Sequence, residues 1–257
     1  MKKITSSQNN IIKEIALLKN NSKRKASKLI CAEGLKLTNE LVQFGFKLKY
    51  VFILDGFDTE LILKEIDRNI IYTVSENVMN KISSLTTPQS VFSVAYEKEP
   101  NENEVNDDFI IALDTIQDPL NLGAILRSAE AFGVKTVLLS YDCCDCYCAK
   151  AIRGSMGSVL RLNIIRTHLY NYLNLKKSDG YDIIGTGLNK NYITVDKLHK
   201  FKKKIIVIGN EGNGISKQVK NICDLGMFIP MYGENESLNA SVAASIIMWE
   251  NKRQNNE

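Results

Sequence analysis

The chain has no apolar run long enough to cross a bilayer. Of its 257 residues 44% are hydrophobic, but they come in short clusters, whereas a spanning helix needs about 20 in succession. No membrane association is expected. The N-terminal stretch Met1-Lys-Lys-Ile-Thr-Ser-Ser7 lacks the apolar core of an export signal. Six cysteines without such a signal are expected to stay reduced, which places the chain in the cytoplasm. Histidine is scarce, and His168 and His199 lack ligand spacing. Cys143, Cys144, Cys146 and Cys148 crowd into Tyr141–Cys148, too tightly for one relaxed tetrahedral site, and no second cluster could complete one. No metal centre is expected. No Gly-x-Gly-x-x-Gly follows the apolar run Phe109–Asp114, which argues against a nicotinamide-dependent dehydrogenase. Internal repeats and low-complexity tracts are also missing.

What is present is unevenly placed. Net charge is only +4, yet residues 1–50 hold eleven Lys or Arg against three Glu, a local +8 that leaves −4 for the remainder. A basic end on an otherwise acidic chain suits a phosphate-bearing partner, although a solvated lysine-rich face has the same composition. The stretch Tyr96–Asp108 is polar and acidic apart from Val105, and reads as a linker over 96–107 between a domain at 1–95 and one at 108–257.

The first domain reads as small and α/β. Ser6 or Ser7 is expected to cap a helix carrying Ile11, Ile12, Ile15, Leu17 and Leu18, with strands over Leu29–Ala32, Lys49–Leu54, Ile70–Val74 and Ser90–Ala95. Helices are expected from Gly34 to Gly45, near Thr59–Ile66 and over Glu76–Leu85. Lys23-Arg24-Lys25 is expected in the loop before Leu29, where it could track a nucleic-acid backbone. In the second domain, strands near 109–114, 135–139, 160–165, 181–185, 204–208 and 226–229 alternate with helices, which predicts a mostly parallel sheet covered on both faces. The tail 251–257 reads as frayed and polar.

Three segments of this domain share one grammar: a buried-type strand, a Gly or Asn loop, then a helix. They are Asp118-Pro-Leu-Asn-Leu-Gly-Ala-Ile-Leu-Arg127, Ile208-Gly-Asn-Glu-Gly-Asn-Gly-Ile215 and Ile229-Pro-Met-Tyr-Gly-Glu-Asn-Glu-Ser-Leu-Asn239. In open α/β sheets ligands sit where strand ends meet such loops, so the three are expected to form one composite site. Gly209 lets the chain approach a ligand closely, while Ile229, Met231 and Leu238 offer apolar walls.

At these residues the chain resembles the SpoU/TrmH family of RNA ribose 2′-O-methyltransferases, within the SPOUT superfamily. Asn121, Gly123 and Arg127 match the first motif, Gly209, Asn210 and Glu211 the second, and Ile229-Pro-Met231 with Ser237-Leu-Asn239 the third. Lys150-Ala-Ile-Arg-Gly-Ser-Met-Gly157 also looks like the family's segment between the first two motifs. Together these cover about residues 108–250 in the family's order. A looser likeness, in Ser7-Gln-Asn-Asn10 and Cys31-Ala-Glu-Gly34, points to the ribosomal-protein-like substrate-binding domain of rRNA-directed members.

The resemblance implies an α/β-knot fold with a deep trefoil knot, a homodimer with each site beside the subunit interface, S-adenosyl-L-methionine as methyl donor, and RNA, 23S rRNA above all, as substrate. It makes Arg127 the main catalytic residue, with Asn121, Glu211, Ser237 and Asn239 as neighbours, and sets the donor against Gly209, Ile229 and Leu238, where Met231 is expected to add its apolar wall. Lys23, Arg24, Lys25, Arg153 and Ser155 are the candidate RNA contacts, although Ser155 also suits a residue that only shapes a turn. An unaided guanidinium is a poor base, so Arg127 is expected to grip a phosphate and stabilise alkoxide character rather than take the proton. A tRNA-directed enzyme and a catalytically silent RNA-binding or ribosome-assembly protein of the same fold are the alternative readings.

Overall fold

A computed structural model describes residues 2–58, 66–101, 105–189, 191–234 and 237–255. It divides into two compact units, Met1–Glu99 with Tyr147–Arg153, and Pro100–Cys146 with Gly154–Glu257.

The first unit carries β1 (Lys2–Ile4), α1 (Asn10–Leu17), α2 (Asn21–Ser27), β2 (Leu29–Glu33), α3 (Leu35–Gln43), β3 (Leu48–Leu54), β4 (Ile71–Val74), α4 (Glu76–Ile82) and β5 (Val91–Tyr96). The strands form one sheet in the order β1-β4-β3-β5-β2, parallel across β1, β4 and β3 and antiparallel at β5 and β2. Its core packs Ile12 and Ile15 of α1 and Val78, Met79 and Ile82 of α4 against Phe52, Val74 and Phe92. The helix expected near Thr59–Ile66 falls almost wholly outside the described residues.

Two local expectations are corrected here. Asn9, not Ser6 or Ser7, caps α1, its Oδ1 accepting from Ile11 N at 2.9 Å. Lys23-Arg24-Lys25 lies in a helix rather than a loop, because Asn20 caps α2 by accepting from Ser22 N and Lys23 N. Lys28 closes that helix in a left-handed conformation (φ 52°).

The second unit carries β6 (Phe109–Leu113), α5 (Pro119–Ala131), β7 (Thr136–Ser140), β8 (Asn163–Thr167), α7 (Leu169–Ser178), β9 (Asp182–Thr186), β10 (Ile193–Thr194), β11 (Lys204–Ile208), α8 (Lys217–Ile222), β12 (Leu225–Phe228) and α9 (Ala240–Gln254). The short α6 (Ala149–Gly154) spans the division between the units. The strands form a single parallel sheet in the order β10-β12-β9-β11-β6-β7-β8. Every residue of β7 and β11 is buried, as expected for strands covered on both faces. Val105, on the stretch read as linker, is buried in this core, and the neighbouring Asp107 accepts from Thr136 Oγ1 at 2.6 Å. The expected frayed tail is helical to Gln254, with Asn251 buried.

Chain order reverses around the centre of this sheet. From β6 the chain runs outward through β7 to β8, then returns on the other side, where β11 inserts between β9 and β6. A parallel sheet leaves its crevice for ligands at such a reversal, beyond the carboxyl ends of the strands.

Candidate active site

The carboxyl ends of β9, β11 and β12 open into a cavity of about 640 Å³, closed on one side by the start of α9. Gly209, Glu211, Ile229, Met231, Ser237 and Leu238 all line it. Gly209 has no substitute there: a Cβ would lie 2.2 Å from the carbonyl carbon of Gly214 and 2.3 Å from Ile215 N, both backbone atoms. That contact closes the loop on itself. Asn210 N donates to Gly214 O (3.0 Å), Gly214 N returns to Asn210 O (2.8 Å), and Asn210 Oδ1 accepts from Gly212 N (2.9 Å).

The first motif loop does not line the cavity but is tied to those that do. Asn210 Nδ2 donates to Thr115 O at 3.0 Å, and Ser216 N donates to Asp114 Oδ2 at 2.7 Å. Asp118 caps α5 by accepting from Leu120 N (3.1 Å), with Pro119 opening the helix at a position where its missing N–H costs nothing. This sets Asn121 in the first turn. Its Nδ2 donates to Glu211 Oε1, and its Oδ1 accepts from Asn239 Nδ2 at 3.1 Å. Asn239 in turn caps α9, accepting from Ser241 N at 2.8 Å. One side-chain chain, Glu211–Asn121–Asn239, therefore joins all three loops.

Arg127, two turns into α5, is exposed and outside the cavity lining, and no hydrogen bond or ion pair among the described residues engages its guanidinium. Further residues read as RNA contacts separate clearly. Lys23 and Lys25 are exposed on α2. Arg24 is buried instead: it donates to Leu29 O at 3.2 Å and pairs with Glu97, so its charge is already engaged inside the unit. Arg153 is exposed and donates to Ser84 Oγ at 3.2 Å. Ser155 is fully buried, next to the left-handed pair Met156 (φ 51°) and Gly157 (φ 84°).

Tyr192 lines the cavity and was not read from the sequence. Its ring lies against the backbones of Gly187 and Gly226, where added Cβ atoms would come within 2.9 and 2.4 Å of it. The strand ending in Gly185-Thr-Gly187 has the same strand-then-glycine grammar as the other loops, and that signal was available. Among the described residues no group of three or more His, Cys, Asp or Glu is placed to hold an ion.

Residues 108–249 match the model of the SpoU rRNA Methylase family. The chain belongs to the SpoU rRNA methylase family. Residues 9–93 match the MRM3-like substrate binding domain. The SpoU chain is 28% identical over 250 residues to the 23S rRNA (guanosine(2553)-2′-O)-methyltransferase RlmP of Bacillus subtilis, a match covering 97% of this chain and 98% of that protein. It is 30% identical over 230 residues to a TrmH family protein of Staphylococcus epidermidis, covering 88% and 92%. Among solved structures, an AdoMet-bound rRNA methyltransferase from Sinorhizobium meliloti superimposes with a TM-score of 0.86 at 27% identity, covering 98% of this chain and 97% of that one. The α/β fold read from the sequence, with its parallel C-terminal sheet, is thus the fold of SpoU methyltransferases.

Proposed function

We propose that this SpoU methyltransferase transfers the methyl group of S-adenosyl-L-methionine to a ribose 2′-hydroxyl in 23S rRNA. The observation that carries this reading is the Glu211–Asn121–Asn239 chain, which ties the first motif loop to the two motif loops that line one cavity. The cavity suits the donor: Gly209 brings backbone close to a ligand, and Ile229, Met231 and Leu238 give apolar walls for an adenine ring. When bound there, the donor supplies an electrophilic sulfonium methyl.

The residues of the chain then account for the rest. Asn121, held at both ends of its amide by Glu211 and Asn239, orients the nucleotide. Arg127 grips a phosphate and stabilises alkoxide character at the attacking oxygen. Ser237, exposed at the cavity mouth, offers a hydroxyl to the substrate. The unit holding residues 9–93 takes the RNA, with Lys23 and Lys25 on its surface and Arg153 as a further cation. The unit formed mainly by residues 1–99 acts as substrate binder, and the parallel-sheet unit from Pro100 onward as catalyst.

An exposed Arg127 outside the cavity suits a site completed at an interface between two copies. Leu120, Val242 and Trp249 leave apolar surface on α5 and α9, where such a homodimer would close. The trefoil knot belongs to the same reading, as does work in the cytoplasm; no helix among the described residues is long and apolar enough to cross a membrane.

Calorimetry and single-turnover rates test the proposal. The protein is expected to bind S-adenosyl-L-methionine, and Arg127→Ala to keep that binding while losing methyl transfer by at least about 100-fold. Near-normal methylation by Arg127→Ala at saturating RNA would remove Arg127 from the chemical step, and no affinity for the donor would favour a silent RNA-binding protein.

A further inference from the structure

Arg166 of β8 lies outside the three motifs, and the cysteine-rich stretch it touches has no part in the chemistry above. Its guanidinium donates to four carbonyls of one loop: Ser140 (3.0 Å), Tyr141 (3.3 Å), Cys143 (2.9 Å) and Cys144 (2.6 Å). Nη1 shares its two N–H groups among the first three carbonyls and Nη2 serves the fourth, a planar fork that a lysine ammonium cannot reproduce.

The loop held in this way is joined to the first motif loop at three points. Cys144 N donates to Ile116 O at 2.8 Å, Thr115 N donates to Ser140 Oγ at 3.0 Å, and Cys143 Sγ donates to Leu113 O at 3.2 Å. Thr115 sits among these anchors with φ 59°, left-handed backbone that is costly for a β-branched residue and persists only where its surroundings enforce it. The carbonyl of this strained residue receives Asn210, and the adjacent Asp114 receives Ser216 N. Both ends of the loop bearing Glu211 therefore hang on Asp114 and Thr115.

We infer that Arg166 is a positioning residue: through the backbone of Ser140–Cys144 it fixes Asp114–Asp118, and thereby sets Asn121 and Glu211 against each other. The crowded cysteines then belong to a bracket that works through its backbone carbonyls and amides together with the Ser140 hydroxyl and the Cys143 thiol. The kinetic consequence rests on the methyl-transfer reading of the site, whereas the structural consequence does not.

Hydrogen exchange read by mass spectrometry on the full chain separates the two. Arg166→Ala is expected to speed amide exchange about 10-fold across 114–118 and 209–216, with residues 2–58 unchanged. Arg166→Lys is expected to behave like Arg166→Ala. The same variants should lose about 10-fold in kcat with KM for RNA within about twofold, the mark of a misplaced catalytic group rather than lost RNA binding. Ser140→Ala removes the acceptor for Thr115 N and the hydroxyl contact with Cys143 Sγ while leaving Arg166 in place, and should speed exchange at 114–118 even if Arg166→Ala fails to fold. Acceleration confined to 140–144, or full restoration by Arg166→Lys, would overturn the inference. A wild type that transfers no methyl group would sink the methyl-transfer reading, while the exchange pattern would still decide the role of Arg166.

Discussion

Several side chains in this protein matter through where they are placed. Desolvation pushes the Cys31 thiol up to about 12 and the Cys223 thiol up to about 11, from an ordinary 9.0, and raises Cys143 as well. In the unfolded chain these thiols ionise near their ordinary value. Their contribution to stability is therefore fully present below about pH 9 and is lost as pH rises towards the folded values. Thiolates, not thiols, react with iodoacetamide, so at about pH 8 these cysteines should label at least about 10-fold slower in the native protein than after denaturation. Equal rates in the two states would show that burial does not protect them. Arg24 shows the same dependence on placement: it shares a sequence cluster with Lys23 and Lys25, yet its pairing with Glu97 turns it inward.

Asn239 ties a helix terminus to the catalytic loops, and its two functions can be separated. As N-cap of α9 it accepts from Ser241 N, and as amide donor it reaches Asn121. Asn239→Ala removes both and should cost about 0.5–2 kcal/mol of stability together with methyl transfer. Asn239→Asp keeps the cap and loses the donor, so urea denaturation should find normal stability beside a depressed transfer rate. An aspartate variant at full rate would show that the link to Asn121 is dispensable. This loop was legible from its residues because strand, polar glycine loop and small-residue helix follow one another without interruption. The strands of the parallel sheet were legible for a related reason: buried on both faces, they are short apolar runs between turn residues. Caps and linker were harder. Asn9 caps α1 in place of Ser6 or Ser7 because its carbonyl oxygen meets the Ile11 amide, and Asn20 starts a helix where a loop was expected because its own meets the Ser22 and Lys23 amides, choices that composition does not distinguish. Val105 is a single apolar residue in an acidic stretch, and its burial depends on a core assembled from distant strands. Tyr192 escaped notice because its partners, Gly187 and Gly226, are brought together only by the pairing of β9 with β12.

On the function proposed above, the two units divide the labour, the basic end of the chain taking the RNA and the parallel sheet taking the donor. Their match to a substrate-binding domain and to the SpoU family, in that order along the chain, supports a ribosomal rather than a transfer RNA target. Incubating the purified protein with S-adenosyl-L-methionine and either 23S rRNA or total tRNA, then mapping ribose methylation by mass spectrometry, tests this most directly. A 2′-O-methyl group should appear at one nucleotide of the 23S rRNA and be absent when Arg127→Ala replaces the wild type. Methylation of tRNA with none on 23S rRNA, or none on either, would contradict it.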